Sequence, residues 1–232
     1  MLERIAVTVD RRYGPAMERP APTTTSRFVR ALREDVAGEE RSRLVAAMAE
    51  ALNARPYAEV TGEDVVARAR LPRARFFAHF ADTEACFLAT YEACARLLRA
   101  GTTAAVEGSP GRPYEERIAL GVRAYLDTLA AEPGLARAFL RDVTAAGPEA
   151  LRRRHAVNER FAAMIVALAE QHADELPEGY AVHPDMAREL VEALEALALI
   201  SVADGRPQDL PRLTDTATRM IHAALVVGDA PA

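Results

Sequence analysis

The chain has 232 residues and 25.2 kDa, half of them apolar, enough for one large domain or a small domain joined to a larger one. A formal net charge of −5 excludes a protein that is basic all over and leaves any nucleic-acid binding to a local patch. Such a patch exists: between Arg41 and Phe80 seven Arg stand against four acids, a local +3 that leaves −8 for the rest.

All 29 basic residues are Arg, a genomic coding bias that lowers the weight of any single Arg. Cys86 and Cys94, eight apart in a helical run, share a face but are too distant to bridge within one helix, so reduced thiols in a cytosol fit best. No run of 18 apolar residues occurs, and the first 20 residues carry charges where a signal peptide needs an apolar stretch. The expectation is a soluble, cytoplasmic protein with no membrane association.

In chain order, residues 1–40 read as a flexible arm rich in Pro and Thr, with Arg11, Arg12 and Arg19 available to a minor groove and a short helix in SRFVRALREDVA. From Arg41 the pattern turns helical, with Leu44, Val45, Met48, Ala51 and Leu52 on one face, ending at Asn53 to Pro56. Thr61 followed by Asp64 reads as a capping box, with Val60 and Val65 as its hydrophobic staple, and starts a second helix of about two turns. Leu71 is placed at the N-cap and Pro72 at the first position of a third helix ending at Phe80. Asp82 caps a long fourth helix bearing Phe87, Tyr91, Cys94 and Leu98.

Beyond the GSPGRP break, a fifth helix carries Ile118 to Leu129, LARAFLRDV forms a short sixth, and a long seventh follows Gly147-Pro148. An eighth holds Leu190, Val191, Leu194, Leu197 and Ile200; a ninth holds Leu213, Ala217, Met220, Ile221 and Leu225. No segment alternates convincingly as a strand, except for a weak pattern in the first few residues, so the fold class is all-α.

The segment ARARLPRARFFAHF (67–80) carries the chemistry. On a helix, Phe76 and Phe80 point together toward Leu44–Leu52, and Arg73, Ala74, Arg75 and Ala78 point outward. Two short helices joined by a tight turn, the second with basic and small outward residues, is the helix-turn-helix arrangement for a major groove. There Arg can bond a guanine edge in bidentate fashion and Ala can touch a thymine methyl. Alternating Arg and Ala on a solvated surface helix gives the same pattern, and periodicity alone does not separate the two.

Over residues 41–92, RSRLVAAMAEALNARPYAEVTGEDVVARARLPRARFFAHFADTEACFLATYE resembles the N-terminal DNA-binding domain of TetR-family transcriptional regulators without a gap. The resemblance rests on the Pro56-Tyr57 helix end, the Thr61 start, the Val65–Ala69 run and the Phe76-Phe77-x-His79-Phe80 signature followed by Glu84. It implies a helix-turn-helix domain at 41–85 and a helical effector-binding and dimerisation domain at 86–228. It also implies Arg73, Ala74, Arg75 and Ala78 as base readers and Thr61, Phe77 and His79 as backbone contacts. Arg70, Pro72, Phe77 and Thr83 replace the usual Gly, Ser, Tyr and Lys. Losing the capping Ser and two phosphate-binding groups weakens sequence-independent affinity unless Arg70, Arg73 and Arg75 compensate.

For the second half, Tyr91, Tyr125, Phe139, Phe161, Met164 and Met186 are candidates to line a pocket for an apolar or aromatic small-molecule effector. Residues 186–204 and 210–227, rich in Ala and Leu, are candidates for a two-fold homodimer interface that matches a palindromic double-stranded operator. Arg152, Arg153 and Arg154 read as a solvated turn. No metal-binding or catalytic motif, no cofactor fingerprint and no nucleophile constellation occurs, so no catalytic residue, metal or cofactor is expected. The reading is a DNA-binding regulator, a repressor released by its effector; the alternative is a small-molecule-binding helical dimer of the same ancestry with lost DNA binding.

Overall fold

In the computed structural model, residues 26–176 and 181–226 are described. The arm with Arg11, Arg12 and Arg19, residues 177–180 before the eighth expected helix, and the Leu225 side chain lie outside the described residues. Ser26 accepts a hydrogen bond from the Val29 amide at 3.1 Å and starts helix α1 (Arg27–Asp35). This segment is no loose arm: Val29 and Leu32 are buried, and Asp35 pairs with Arg96 at 2.8 Å.

Helix α2 (Glu39–Ala54) buries nearly every turn, from Leu44 to Leu52, because it forms the centre of the N-terminal bundle. The expected capping box forms at Thr61: its hydroxyl accepts from the Asp64 amide at 3.2 Å, and Asp64 accepts from the Thr61 amide at 3.0 Å. Helix α3 (Gly62–Ala69) follows, with Val60 and Val65 both buried as its staple. Arg70 ends α3 in the left-handed region at φ 52°, the only non-glycine residue with positive φ among the described residues.

Helix α4 spans Arg73–His79, with Pro72 as its N-cap rather than its first residue. Pro72 lies at ψ 146°, an extended value that turns the chain before the helix begins. Phe76 and Phe80 are buried with ring centroids 5.9 Å apart, and these two rings anchor α4 to the bundle.

Asp82 accepts from the Ala85 amide at 2.7 Å and opens α5 (Thr83–Glu107), which runs through Gly101 to the GSPGRP break. Against it lies α6 (Tyr114–Ala131). Next come α7 (Pro133–Arg137), a π-turn at Ala138–Asp142, and α8 (Val143–Ala145). The body is completed by α9 (Pro148–Gln171), α10 (Pro184–Ala203), a 3-10 segment at Pro207–Leu213, and α11 (Thr214–Val226). No strand occurs among the described residues, and the fold is all-α.

The N-terminal bundle is joined to the body at the C-terminal end of α2. A Cβ on Gly134 would stand 2.3 Å from the Asn53 Cα, so backbone meets backbone there and only Gly fits. Around this contact Asn53 donates to Glu132 at 2.8 Å and accepts from the Leu135 amide at 3.0 Å. Arg137 donates to the Leu52 carbonyl at 2.6 Å, and Asp142 accepts from the Tyr57 amide at 3.0 Å. The π-turn places Asp142 for that bond.

Candidate nucleic-acid interface and effector cavity

The turn between α3 and α4 is held from below by Arg43 of α2. Its guanidinium donates to the Ala69 carbonyl (Nε at 3.1 Å) and to the Arg70 carbonyl at 3.0 Å. These are carbonyls at the end of α3 that the helix itself leaves without partners, and a cation there also suits the helix dipole. With α3 and the turn fixed, α4 presents a defined surface.

On that surface Arg73, Ala74, Arg75, Phe77 and Ala78 are exposed and His79 is half-buried. Phe77 is 53% exposed, an unusual position for a large apolar ring, and it packs edge-on against Phe76 at 5.4 Å. Thr61 and Arg70 are exposed at the two ends of α3. A Cβ on the next residue, Gly62, would lie 3.4 Å from the Thr83 hydroxyl, so the starts of α3 and α5 are neighbours.

The basic side chains of α4 are already engaged. Arg73 pairs with Glu63 at 2.9 Å while its guanidinium lies 5.5 Å from the centre of the Phe77 ring. Arg75 donates through Nε to both carboxylate oxygens of Glu40 at 2.9 Å and through Nη2 to Oε2. The His79 Nε2 lies 3.0 Å from the same oxygen. Hydrogen bonds from Arg75 first, then His79, hold the Glu40 carboxyl well below its ordinary range, at about 2. Nothing in the sequence marks Glu40 as the partner of Arg75, because 35 residues separate them and no periodicity links them.

In the body, a cavity of about 120 Å³ opens between α5, α6, α9 and α11. Its walls come from Thr102, Val106, Ile118, Gly121, Ile165 and Leu168 among others, and they are almost wholly apolar. Arg117 closes one side. Its side chain is only 5% exposed, and it donates to the Val106 carbonyl at 3.2 Å, pairs with Glu175, and meets His172 at 2.7 Å.

Of the six side chains expected to line the effector pocket, Met164 alone lines this cavity. Tyr91 and Phe139 instead stack on each other at 4.8 Å, and Tyr125 meets Phe161 edge-to-face at 5.8 Å. Met186 lies half-buried near the start of α10, away from the cavity walls. Large aromatic rings fill space here by pairing with each other, and the void is walled mainly by aliphatic side chains such as Ile118, Ile165 and Leu168. Gly121 and Thr102 also lie in the wall, where a Cβ on Gly121 would stand 2.7 Å from the Val106 Cγ2, so this glycine lets α5 and α6 approach closely.

The basic run is a solvated turn at two of its three positions and not at the third. Arg152 and Arg153 do pair at the surface with Glu149, but Arg154 turns inward to Glu195 at 2.5 Å. Glu195 is buried and also accepts from Asn158 at 3.1 Å. Burial raises its carboxyl above the ordinary Glu value despite those partners. Among the described residues no group of three or more His, Cys, Asp or Glu is placed to hold a metal ion, and no helix is long and apolar enough to cross a membrane.

A three-helix head carried on a larger helical body is a fold this chain shares with solved TetR-family transcriptional regulators. Solved structures share it at low sequence identity. FadR from Bacillus halodurans, a fatty acid degradation regulator, matches with a TM-score of 0.68 at 12% identity over 82% of this chain and 98% of its own. FadR from Bacillus subtilis, in complex with stearoyl-CoA, matches at 0.65 and 12% identity over 78% and 97%. A TetR-family regulator from Pectobacterium atrosepticum matches at 0.61 and 22% identity over 85% and 97%. No family model and no curated protein matches the sequence.

Proposed function

We propose that the chain is a sequence-specific DNA-binding transcriptional regulator, a cytoplasmic homodimer that represses until a small apolar or aromatic effector binds. The observation that carries this reading is α4 itself: a seven-residue helix that exposes Arg73, Ala74, Arg75, Phe77 and Ala78 while Phe76 and Phe80 hold it to the core. Thr61, Arg70, Phe77 and His79 would flank the base readers as phosphate and backbone contacts. The domain division proposed at 41–85 and 86–228 assigns reading to the head and control to the body.

The dimer would form through 186–204 and 210–227, where Ile200 is 59% exposed on α10. The effector would enter the cavity of about 120 Å³, comparable with the roughly 150 Å³ dry cavities that take up benzene. A chain as long as the stearoyl group bound by the Bacillus subtilis protein exceeds that volume, which favours a smaller occupant here.

Titration of the upstream intergenic DNA at two salt concentrations, with wild type and with Arg73→Ala/Arg75→Ala, tests the reading. Selective binding that the double variant abolishes supports it; a genome-wide selection of bound fragments that returns no motif overturns it. For the cavity, thermal shifts with small aromatic hydrocarbons should appear in wild type and vanish in Ala169→Phe, which fills the void.

A second reading, a helical small-molecule-binding dimer that no longer reads DNA, is favoured by one observation. Both Arg73 and Arg75 are matched by carboxylates, and Phe77 and Thr83 offer no cation to phosphate. The same selection experiment separates the two.

A further inference from the structure

We propose that Glu40 is a positioning residue for base readout, holding Arg75 so that the free edge of its guanidinium is offered to a guanine. The inference rests on the DNA-binding reading above and adds a specificity determinant outside the helix-turn-helix itself. An Arg side chain carries five N–H groups, one on Nε and two on each terminal nitrogen. Glu40 takes Nε–H and Nη2 from one side, with both carboxylate oxygens within 2.9 Å of Nε. That leaves the end-on edge, formed by Nη1 and the second Nη2–H, as a bidentate donor of the geometry that fits guanine O6 and N7.

The arrangement differs from that of Arg73. Arg73 and Glu63 meet through a single pair at 2.9 Å, with the two side chains 69% and 67% exposed, a contact that water and salt dissolve readily. Glu40 is fixed at three points. It sits in the first turn of the most buried helix in the head, it receives Arg75 on two nitrogens, and His79 bonds the same carboxylate at 3.0 Å. A long side chain that would otherwise sample many rotamers is thereby held in one before DNA arrives. The carboxylate stays ionised far below neutral pH, so the clamp is present throughout the working range.

A carboxylate near DNA could instead act as a brake, competing with phosphate for Arg75. The two roles predict opposite results when the charge is removed. A brake, once removed, raises affinity for every sequence alike and steepens the salt dependence by about one phosphate contact. A positioning group, once removed, costs discrimination at one base position and leaves binding to unrelated DNA unchanged or slightly stronger.

The experiment selects bound DNA from a random library with wild type, Arg75→Ala and Glu40→Gln, and measures affinities for the resulting sites with each base in turn. Arg75→Ala identifies the position that Arg75 reads, where the guanine preference disappears. Glu40→Gln is expected to lower the guanine preference at that same position about tenfold, within the range of one bidentate contact, and to leave the other positions intact. Thermal unfolding of Glu40→Gln controls for folding, since this half-exposed side chain supports no core packing. A wild type that selects a motif, with Glu40→Gln keeping its full guanine preference or tightening on all sequences equally, overturns the role of Glu40 alone. A wild type that selects no motif overturns the DNA-binding reading, and the role of Glu40 with it.

Discussion

Arg70 offers the most direct test of how the head is built. It is the C-cap of α3 at φ 52° and ψ 46°, where its Cβ crowds the following carbonyl. A non-glycine residue in that region pays about 1–2 kcal/mol. Arg70→Gly removes this strain but gives the unfolded chain more freedom, worth about 0.5–1 kcal/mol in the opposite sense. The expected net gain is about 0.5–1 kcal/mol, or roughly 2–4 °C for a chain of this size at the upper end. Arg43 bonds the Arg70 backbone carbonyl, not its side chain, so that support survives the substitution. Urea unfolding of wild type, Arg70→Gly and Arg70→Ala measures the effect. Arg70→Ala keeps the Cβ and loses the same charge, so it should show no gain. Equal midpoints for the Gly and Ala variants would refute the argument that the turn is strained.

Four further outcomes are expected. Glu195→Ala leaves Arg154 without its inner partner and should cost about 3 kcal/mol in chemical denaturation, at the lower end for a broken buried pair because Arg154 is partly exposed. Glu195 has a raised carboxyl, so the native state keeps a proton that the unfolded chain releases; wild type should lose stability relative to Glu195→Gln as pH rises from the ordinary value of 4.5 upward, and a constant difference between them across that range would contradict the burial argument. Ile200→Asp places a charge on the proposed two-fold surface and should halve the mass seen by light scattering, with unchanged helical content by circular dichroism. Burial pushes both the Cys86 and Cys94 thiols up to about 12, so a thiol reagent at pH 7.5 should label neither until denaturant is added; prompt labelling of the native protein would show that α5 opens.

The parts legible in sequence are those whose determinants lie within a few residues of one another. The Thr61–Asp64 box, the Asp82 cap and the Pro that opens α9 are local hydrogen-bond or backbone effects, and each sits where its chemistry required. The burial of Phe76 and Phe80 followed from their four-residue spacing. What escaped was set through space. Glu40 meets Arg75 across 35 residues, and Arg154 meets Glu195 across 41. An Arg on a helix surface and an Arg folded inward give the same letter in the same run, so only the partner on another helix decides. The cavity is illegible for the same reason: its aliphatic walls come from four helices that no local spacing brings together, while the aromatic candidates stack on one another.

The seam at Gly134 has a mechanical consequence. Helix α2 is pinned to the body at its last turn, through Asn53 and Leu52, and carries Glu40 in its first turn. Its 16 residues make a stiff rod of about 24 Å. A tilt of about 10° at the pinned end sweeps the other end through about 4 Å, which exceeds the length of a hydrogen bond. The chain thus contains a lever with its fulcrum beside the body. Because Arg43 holds the α3–α4 turn and the buried rings of Phe76 and Phe80 anchor α4, the far end of that lever carries the Glu40–Arg75 pair along with it. A rotation too small to disturb packing at the fulcrum would displace α4 together with its clamp, leaving the Glu40–Arg75 contact closed.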